Sequence, residues 1–520
     1  MPIHHALSRL SPKRSTRVVP RLTRPFPATF MFGVATADHQ CEAYDPVIED
    51  IRDVWERTHQ QTPRGRGTDF RNRYIEDIEL ARQMGCHVFR FSISWARVEP
   101  EPGVFSQDEL EHYQRVIQAI RAAEMEPIVT LHHFTWPLHI EKRGGMISPK
   151  FPEYFCNYVR EVVNFMGKDV RFWITFNEPS QLLFGYIKPW WIKDYFVPPG
   201  LPDGATLDHQ IAAVNTLIRN LFLAHARARK IIKRNNTRAQ VGSNPLLLGL
   251  PEWLQRIIDW NATRTRSKKV FDKQVRRYAT PRVPAVLMPD PTSLKSRLHR
   301  LIEPIKKSFT VLSTLLASNW WHLGMAGKLP VFLCPKECVG QQDFVGFDFY
   351  WGVGNLDLNR INALIESGSG HFDHAPVHAE ALYNHLKRLT RLFPKLPIMI
   401  IENGSVAVAD GIDRATYLNQ HTTQVKRALK DGIDVAGYIC WSITSNREWG
   451  LPFGPGNDFG LYHIDLDTDP ELKRTPTPAV AAYKAIICGL DTESAADTES
   501  AVAKVSVADA LSLSAADRPA

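Results

Sequence analysis

Two glutamates in this sequence stand directly after strongly strand-forming runs. Residues 172–176 are aromatic or β-branched throughout, and the run ends one residue before Glu178 and Pro179. Far downstream, the apolar run 398–401 is followed by Glu402. Because proline cannot continue a regular strand ladder, Glu178 is predicted at the carboxyl end of a strand. Two such carboxyl groups suit glycoside hydrolysis, in which one protonates the leaving oxygen and the other attacks the anomeric carbon.

These carboxyl groups need a scaffold that brings distant strand ends together. The hydrophobic pattern alternates between strands and helices, as a parallel α/β fold requires. In a parallel barrel, the carboxyl ends of the strands carry the chemistry. Strands are predicted at 30–37, 87–95, 127–133, 172–176, 239–245, 343–350, 398–401 and 435–442, and helices at 69–85, 106–124, 152–168, 207–234, 377–393 and 413–430.

The motifs around the two glutamates resemble those of a known family. TFNEP at 175–179 and IENG at 401–404 look like glycoside hydrolase family 1, the β-glucosidase and β-galactosidase family. The similarity extends from about Phe26 to about Ile487. It implies a (β/α)8 TIM barrel and a retaining double displacement, with Glu178 as acid/base and Glu402 as nucleophile. It implies no metal and no organic cofactor.

Other residues of the motifs gain roles from the same resemblance. Arg90 alternates with two phenylalanines, so it points into the barrel and needs a carboxylate partner there. The resemblance supplies Glu402, which Arg90 would keep ionised, with further support from Asn177, Tyr350 and Asp348. It assigns sugar binding to Gln40, His133, Phe134, Trp441, Glu448 and Trp449.

Three positions depart from the family pattern. Phe134 stands where tryptophan is usual, Ile401 where threonine is usual, and Asp348 where asparagine is usual. A second carboxylate beside Glu402 is expected to raise one of the two pKa values, unless Arg90 or a proton compensates. Asp348 is therefore the departure that bears most directly on the chemistry.

One of the sugar-binding matches also bears on the substrate. An anionic Glu448 would repel a sugar 6-phosphate, which leaves neutral glucosyl, galactosyl and fucosyl groups. The partner expected for the chain is thus a small-molecule glycoside.

The 520 residues exceed the roughly 250 of a bare barrel, so we expect one elaborated glycosidase domain over 26–488. Residues 1–25 are basic and lack a signal-peptide apolar run, which predicts a disordered leader or, alternatively, a transit-like peptide. Residues 489–520 are small, polar and acidic, as disordered tails are. Seven scattered cysteines favour a reducing compartment and hence the cytoplasm.

The segment 251–340 is rich in insertions, and most of the net positive charge lies in its first part. Residues 251–310 contain 14 Lys or Arg and 5 Asp or Glu, a balance of +9 against +8 for the chain. Trp253, Ile257 and Trp260 are interleaved with this charge. The pattern is compatible with peripheral association with an anionic membrane, or with a solvated excursion beside the barrel. The sequence has no nucleic-acid-binding motif.

These observations predict a retaining β-glycosidase acting on β-D-glucosides, galactosides or fucosides. One alternative is a membrane-surface transglycosidase that moves a sugar to a lipid or alcohol. It is motivated by the basic segment and by an aromatic run that contains Trp190, Trp191, Tyr195 and Phe196. Another alternative, suggested by Asp348, is a non-catalytic sugar- or lipid-binding member. The sequence leaves the oligomeric state open.

Overall fold

The computed structural model describes residues 26–187, 200–201, 204–264, 267–279, 319–355, 357–367 and 370–490. Its main sheet is entirely parallel, with spatial order β5-β4-β3-β2-β1-β9-β8-β7-β6. The strands are β1 (Met31–Ala35), β2 (Val88–Ser92), β3 (Glu126–Thr130), β4 (Phe172–Asn177), β5 (Gln240–Asn244), β6 (Leu246–Gly249), β7 (Val345–Gly352), β8 (Ile398–Asn403) and β9 (Val435–Trp441).

The sheet closes on itself between its two terminal segments. β5 and β6 are separated only by Pro245, which has no N–H to donate, so they form one interrupted strand. The backbone N–H of Asp343 donates to Val241 O at 2.8 Å, and that of Asp348 donates to Pro245 O at 3.1 Å. These bonds join β5 to the chain around β7. The predicted eight-stranded (β/α)8 barrel is confirmed.

Helices cover the outside of the barrel, and the six predicted long helices are all present. The helix expected to end at Gly85 does so, with Gly85 in the left-handed region at φ 85°. The helices are α1 (Asp38–Cys41), α2 (Ile51–Thr58), α3 (Phe70–Met84), α4 (Trp95–Val98), α5 (Gln107–Ala122), α6 (Leu138–Glu141), α7 (Phe151–Met166), α8 (Leu207–Asn235), α9 (Glu252–Arg264), α10 (Lys268–Ala279), α11 (Trp320–Met325), α12 (Leu358–Ser367), α13 (Glu380–Leu392), α14 (Arg414–Lys430) and α15 (Pro478–Cys488).

The strands lie at the centre of the core. Every residue of β1, β2, β4, β8 and β9 is buried, as expected for parallel strands covered by helices. A polar side chain on the inner face therefore has little access to water and needs a partner within the protein. The site described below consists largely of such side chains.

Several predictions fall on residues outside the described ranges. These are the leader at 1–25, the tail from 491 onward, the aromatic run with Trp190 and Trp191, and residues 280–318 of the basic segment. In the ranges that are described, none of the helices has the length and apolar character needed to cross a bilayer. All seven cysteines are described; each is a free thiol, and Cys488 is the exposed one.

Candidate active site

Three carboxyl groups meet at the carboxyl ends of strands β4, β7 and β8. Glu402 lies in β8, Asp348 pairs with it in register from β7, and Glu178 directly follows β4. One oxygen of each group lies within 4.8 Å of the others. Their exposed fractions are 4%, 0% and 9%, respectively. We call these three residues the carboxyl cluster.

Arg90 of β2 holds the first of these groups. Its guanidinium forms an ion pair with Glu402 Oε1 and also donates to Asn177 Oδ1 at 2.6 Å and Thr130 Oγ1 at 3.0 Å. The predicted carboxylate partner of Arg90 is therefore found. The Tyr350 hydroxyl donates to Glu402 Oε2 at 2.7 Å. Both oxygens of Glu402 thus accept hydrogen bonds, which orient its carboxyl group.

Asn244, at the end of β5, links Asp348 to Asn177. Sequence reasoning missed this residue. Its Nδ2 donates to Asn177 Oδ1 at 2.6 Å and to Asp348 Oδ2 at 2.5 Å. The other oxygen of Asp348, Oδ1, is buried without a hydrogen-bond partner. A usable signal was present, since Asn244 precedes Pro245 at a strand end just as Glu178 precedes Pro179.

Protonation differs across the carboxyl cluster. Burial raises the pKa of Glu178 well above its usual range, the charge of Glu402 raises it further, and Arg90 only partly opposes this. Burial likewise raises the pKa of Asp348 well above normal, with added repulsion from Glu402 and Glu178. The like-charge effect expected for Asp348 is therefore present. Arg90, which is bonded to Glu402, lowers the pKa of Asp348 only in part.

A second group of side chains is centred on Glu448. Gln40 Nε2 donates to Asn446 Oδ1 at 3.0 Å and to Glu448 Oε2 at 3.1 Å, and Trp441 Nε1 donates to Glu448 Oε1 at 3.2 Å. Gln40 Oε1 is buried without a partner. Burial raises the pKa of Glu448 to about 8, which leaves it mostly neutral at pH 7. This raised pKa opposes the anionic form that the sequence predicts for Glu448 at neutral pH, and the exclusion of sugar 6-phosphates stays a prediction.

Aromatic rings line the space beside these groups. The His133 ring stacks near Trp441, with centroids 5.8 Å apart and planes inclined by 14°, and near Trp449, at 5.7 Å and 16°. Phe134 meets Trp449 edge-on at 5.0 Å. Burial and the charge of Arg90 lower the pKa of His133 well below normal, so it is a neutral hydrogen-bonding group. The structure thus brings together the predicted sugar-binding residues.

Three residues of this region have backbone angles that side chains rarely adopt. Glu178, Phe134 and Trp449 have φ values of 37°, 71° and 48°. Such conformations cost free energy and persist where the surrounding structure enforces them, often at functional sites. Each of these residues lies at the strand ends where the carboxyl and aromatic groups converge.

A buried ion network lies behind Trp449, and sequence reasoning missed it. Among its bonds are His39 Nδ1 to Asp50 Oδ2 at 2.9 Å, and Arg64 to Asp53 Oδ2 at 2.7 Å. The one sequence signal is local, since Asp50 and Asp53 form the capping box of α2. Its members, called the ion network below, are His39, Arg52, Arg64, Asp50, Asp53 and Glu56.

The ion network contacts one of the predicted sugar-binding residues, Trp449, directly. The His39 ring stacks on Trp449 at 5.9 Å and 12°, and Arg52 donates to the Trp449 carbonyl oxygen. Burial alone would lower the pKa of His39, but Asp50 and Glu56 raise it to about 10. His39 is therefore a charged imidazolium at neutral pH, fixed between carboxylates.

Two of these buried groupings have side chains that could ligate a metal ion. They are the carboxyl cluster and the set of His39, Asp50 and Asp53. In each, the chain's own cations already face the carboxylates: Arg90 in the first, His39 and Arg64 in the second. A metal ion would have to displace these pairs. The arrangement is better suited to proton transfer and nucleophilic attack by carboxyl groups.

The sequence matches the family described as glycosyl hydrolase family 1 over residues 22–248 and 366–490. Asp348 and Tyr350 lie between the two matched stretches. Beta-glucosidase 8 of Arabidopsis thaliana is 27% identical over 91% of this chain and 93% of its own. The 1,4-beta-D-glucan glucohydrolase of Thermotoga neapolitana is 26% identical over 86% of this chain and all of its own.

Solved structures show a similar fold. The family 1 beta-glucosidase from Thermotoga maritima superposes with a TM-score of 0.64 at 23% identity, covering 89% of this chain and 98% of that one. The beta-glycosidase BGL167 gives a TM-score of 0.60 at 24% identity, with 90% and 98% covered. At these identities the likeness shows the fold alone, the barrel.

Proposed function

The chain belongs to glycosyl hydrolase family 1, and we propose that Glu402 and Glu178 carry out its retaining β-glycosidase reaction. The observation that carries this assignment is the approach of their oxygens to within 4.8 Å. Retention needs carboxyl groups about 5–5.5 Å apart, whereas inversion needs about 6.5–9.5 Å to admit a water molecule. The spacing therefore favours attack by a carboxylate over attack by water.

In the first step, the Glu402 carboxylate attacks the anomeric carbon while Glu178 donates its proton to the leaving oxygen. Arg90 and Tyr350 hold the two oxygens of Glu402, so the attacking group is oriented before substrate binds. The raised pKa of Glu178 keeps its proton available for the leaving group. The products are a glycosyl ester of Glu402 and the free alcohol.

In the second step, the same geometry lets Glu178 act as a base. The charge of Glu402 is one cause of the raised pKa of Glu178, and esterification removes that charge. The pKa of Glu178 then falls, so its carboxylate persists and can take a proton from an incoming water molecule. The ester breaks, the sugar leaves with its configuration retained, and Glu402 is again a carboxylate.

We propose neutral β-D-glucosides as the first substrate class, with galactosides and fucosides as further candidates. Gln40, Glu448 and Trp441 form a joined polar group, and the free Oε1 of Gln40 can accept from a sugar hydroxyl. Trp441 offers an apolar face against which a sugar ring can pack. The relatives named above carry beta-glucosidase or glucohydrolase names, which supports glucose as the sugar.

Turnover of aryl β-D-glucoside, galactoside and fucoside tests this proposal, with Glu402→Gln as the inactive control. We expect at least one sugar to be released with the β configuration in the first product seen by NMR. An α product would contradict the retaining assignment. Absence of turnover on all three, from folded protein, would favour a non-catalytic member. Including an alcohol in the assay measures transfer, although the two hydrolase relatives favour water as acceptor.

We also propose that the protein associates peripherally with anionic membranes through helix α9. Trp253, Ile257 and Trp260 share one face of this helix and are 52%, 46% and 52% exposed. On the opposite face, Leu254 is buried and Asp259 is bonded to Arg388 of α13. A helix that exposes tryptophans on one face is typical of membrane surfaces. The positive charge lies in the next helix, α10, which contains Lys268, Lys269, Lys273, Arg276 and Arg277 against one acidic residue, Asp272.

Sedimentation with liposomes tests this second proposal. The wild type should bind vesicles rich in anionic lipid, and binding should weaken with salt because screening reduces surface attraction. The variant Trp253→Gln with Ile257→Gln should lose most of this binding. Val47→Gln is the control, since Val47 is 87% exposed elsewhere on the protein. Equal sedimentation with neutral and anionic vesicles would contradict the proposal.

A further inference from the structure

The carboxyl cluster has more acidic groups than cations to balance them. Glu178, Asp348 and Glu402 are buried together, and the guanidinium they face is that of Arg90. That guanidinium bonds to Glu402. Among the residues that the structure describes, neither Glu178 nor Asp348 has a cation within ion-pair distance. Two of the three carboxyl groups therefore depend on protons for neutrality.

Asp348 has one oxygen that is not hydrogen-bonded. Oδ2 accepts from Asn244 Nδ2 at 2.5 Å, whereas Oδ1 is buried and has no hydrogen-bond partner. A bare carboxylate oxygen in this position would be costly, and a protonated one is less so. The charged and titratable groups that face Asp348 and Glu178 from the surrounding elements are Arg90, Glu402, Tyr350 and Glu448.

We propose that Asp348 and Glu178 share protons, so that Asp348 acts as a positioning residue for the proton that Glu178 delivers. This inference rests on the proposed function, because it takes Glu178 to be the acid. When the pair has lost one proton, repulsion between the two carboxylates opposes loss of the second. The remaining proton divides its time between the two groups. Glu178 then stays a competent acid to higher pH than it would with a neutral neighbour.

Both groups have the properties that sharing requires. Burial raises the pKa of each well above normal, and Asp348 is further raised by the charge of Glu178. Their oxygens lie within 4.8 Å of one another, a distance at which buried carboxyl groups titrate as a pair. An asparagine at position 348 would still offer an oxygen that accepts the hydrogen bond from Asn244. It would remove the titratable proton of Asp348.

The kinetic test is the pH dependence of kcat/KM for an aryl β-D-glucoside, which reports ionisation in the free enzyme. In Asp348→Asn the alkaline limb should lie at least about one pH unit lower than in the wild type. Asp343→Asn, the same change earlier in the same segment, is the matched control and should leave the limb in place. An alkaline limb that does not move in Asp348→Asn would overturn the proposal.

A thermodynamic test works without any turnover. Below about pH 4 both folded and unfolded Asp348 are protonated; at higher pH the unfolded form ionises first, so the wild type loses stability relative to Asp348→Asn. The gain in Tm given by Asp348→Asn should therefore grow with pH. If the two groups share protons, Asp348→Asn should raise the Tm more when it is made in the wild type than when it is made in Glu178→Gln. A double-mutant cycle measures this difference.

Equal gains in both backgrounds would show that the two groups titrate independently, and would overturn the proposal. If the cycle shows coupling but no glycoside is turned over, shared protonation stands and the proposed function fails. If glycosides are turned over and the cycle shows no coupling, the proposed function stands and the sharing fails.

Discussion

The molecule contains two buried sets of ionisable groups, and the two sets differ in charge balance. The ion network has three cations, His39, Arg52 and Arg64, for three carboxylates. The carboxyl cluster has three carboxyl groups for Arg90 alone. Exposed fractions are similarly low in both sets, at most 5% in the first and 9% in the second. Burial alone therefore does not decide what such groups do.

The difference appears in their protonation. In the ion network, carboxylates raise the pKa of His39 to about 10, while His39 and Arg64 outweigh burial and lower the pKa of Asp50. The charges of His39 and Asp50 are therefore fixed over a wide pH range, which suits a support for Trp449. Asp53 differs, since burial and the charge of Asp50 raise its pKa to about 6. In the carboxyl cluster, the pKa values of Glu178 and Asp348 rise instead. Groups without counterions keep their protons and can exchange them during a reaction.

The strongest test of this comparison removes the one paired member of the carboxyl cluster. Glu402→Gln takes away the attacking carboxylate but keeps its size, and kcat should fall about 10⁴-fold or more. Steady-state hydrolysis of an aryl β-D-glucoside measures the loss. The variant also breaks the buried pair with Arg90, so its Tm should fall. Circular dichroism at the assay temperature should show a folded protein, which would mean that the loss is chemical. Retention of more than a tenth of the activity would rule out Glu402 as nucleophile.

Removing an unpaired member should have a smaller effect that depends on the leaving group. Glu178→Gln removes the acid, so hydrolysis of an alkyl glucoside should slow about 10²- to 10⁴-fold. A glucoside of an acidic phenol needs little protonation, and its first step should be much less affected. The burst and steady-state phases separate the two steps. An equal loss for both leaving groups would mean that Glu178 is not the acid.

A substitution in the ion network should lower the free energy of unfolding rather than the rate of the chemical step. Asp50→Asn leaves His39 without its closest carboxylate, and breaking a buried pair costs about 3–5 kcal/mol in the free energy of unfolding. Urea denaturation measures it. Glu79→Gln, which breaks the exposed Arg82–Glu79 pair, is the control and should cost at most about 1 kcal/mol. Comparable losses in the two variants would mean that the buried ion network stabilises the fold no more than an exposed ion pair does.

The two sets also differ in how far the sequence predicts them. Glu178 and Glu402 could be found because a carboxyl group at the end of an apolar strand leaves a local pattern. Asn244 leaves a similar pattern, polar residue then proline, and could have been found in the same way. In the ion network, local patterns mark the capping box of Asp50 and Asp53 and the i,i+4 pair of Arg52 and Glu56. The bonds of His39 and Arg64 to α2 could not be predicted, because their spacing follows no secondary-structure period.

Protonation was also beyond the reach of the sequence. The expectation that Glu448 is anionic follows from its residue type, and burial, which the sequence does not give, raises its pKa to about 8. Asp348 was recognised as a departure, but the bond from Asn244 and the bare Oδ1 depend on how β5 and β7 close the barrel. The way in which β5 and β7, which are not consecutive in the chain, come together decides which carboxyl oxygens have hydrogen-bond partners. A residue pattern along one strand does not contain that information.

The smallest expected effect concerns Glu448, which lies between the two sets and has no cation partner among the described residues. Burial raises its pKa to about 8, so it is neutral below that pH and becomes a carboxylate above it. A carboxylate accepts sugar hydroxyls more strongly than a neutral acid, so the Kd of a non-hydrolysable thioglucoside should fall up to about tenfold as pH rises through 8. Calorimetry measures this, and Glu448→Gln should show no such step. If the wild type and Glu448→Gln have the same pH dependence, Glu448 is already ionised at neutral pH, and the lack of a counterion would not be what sets protonation in this pocket.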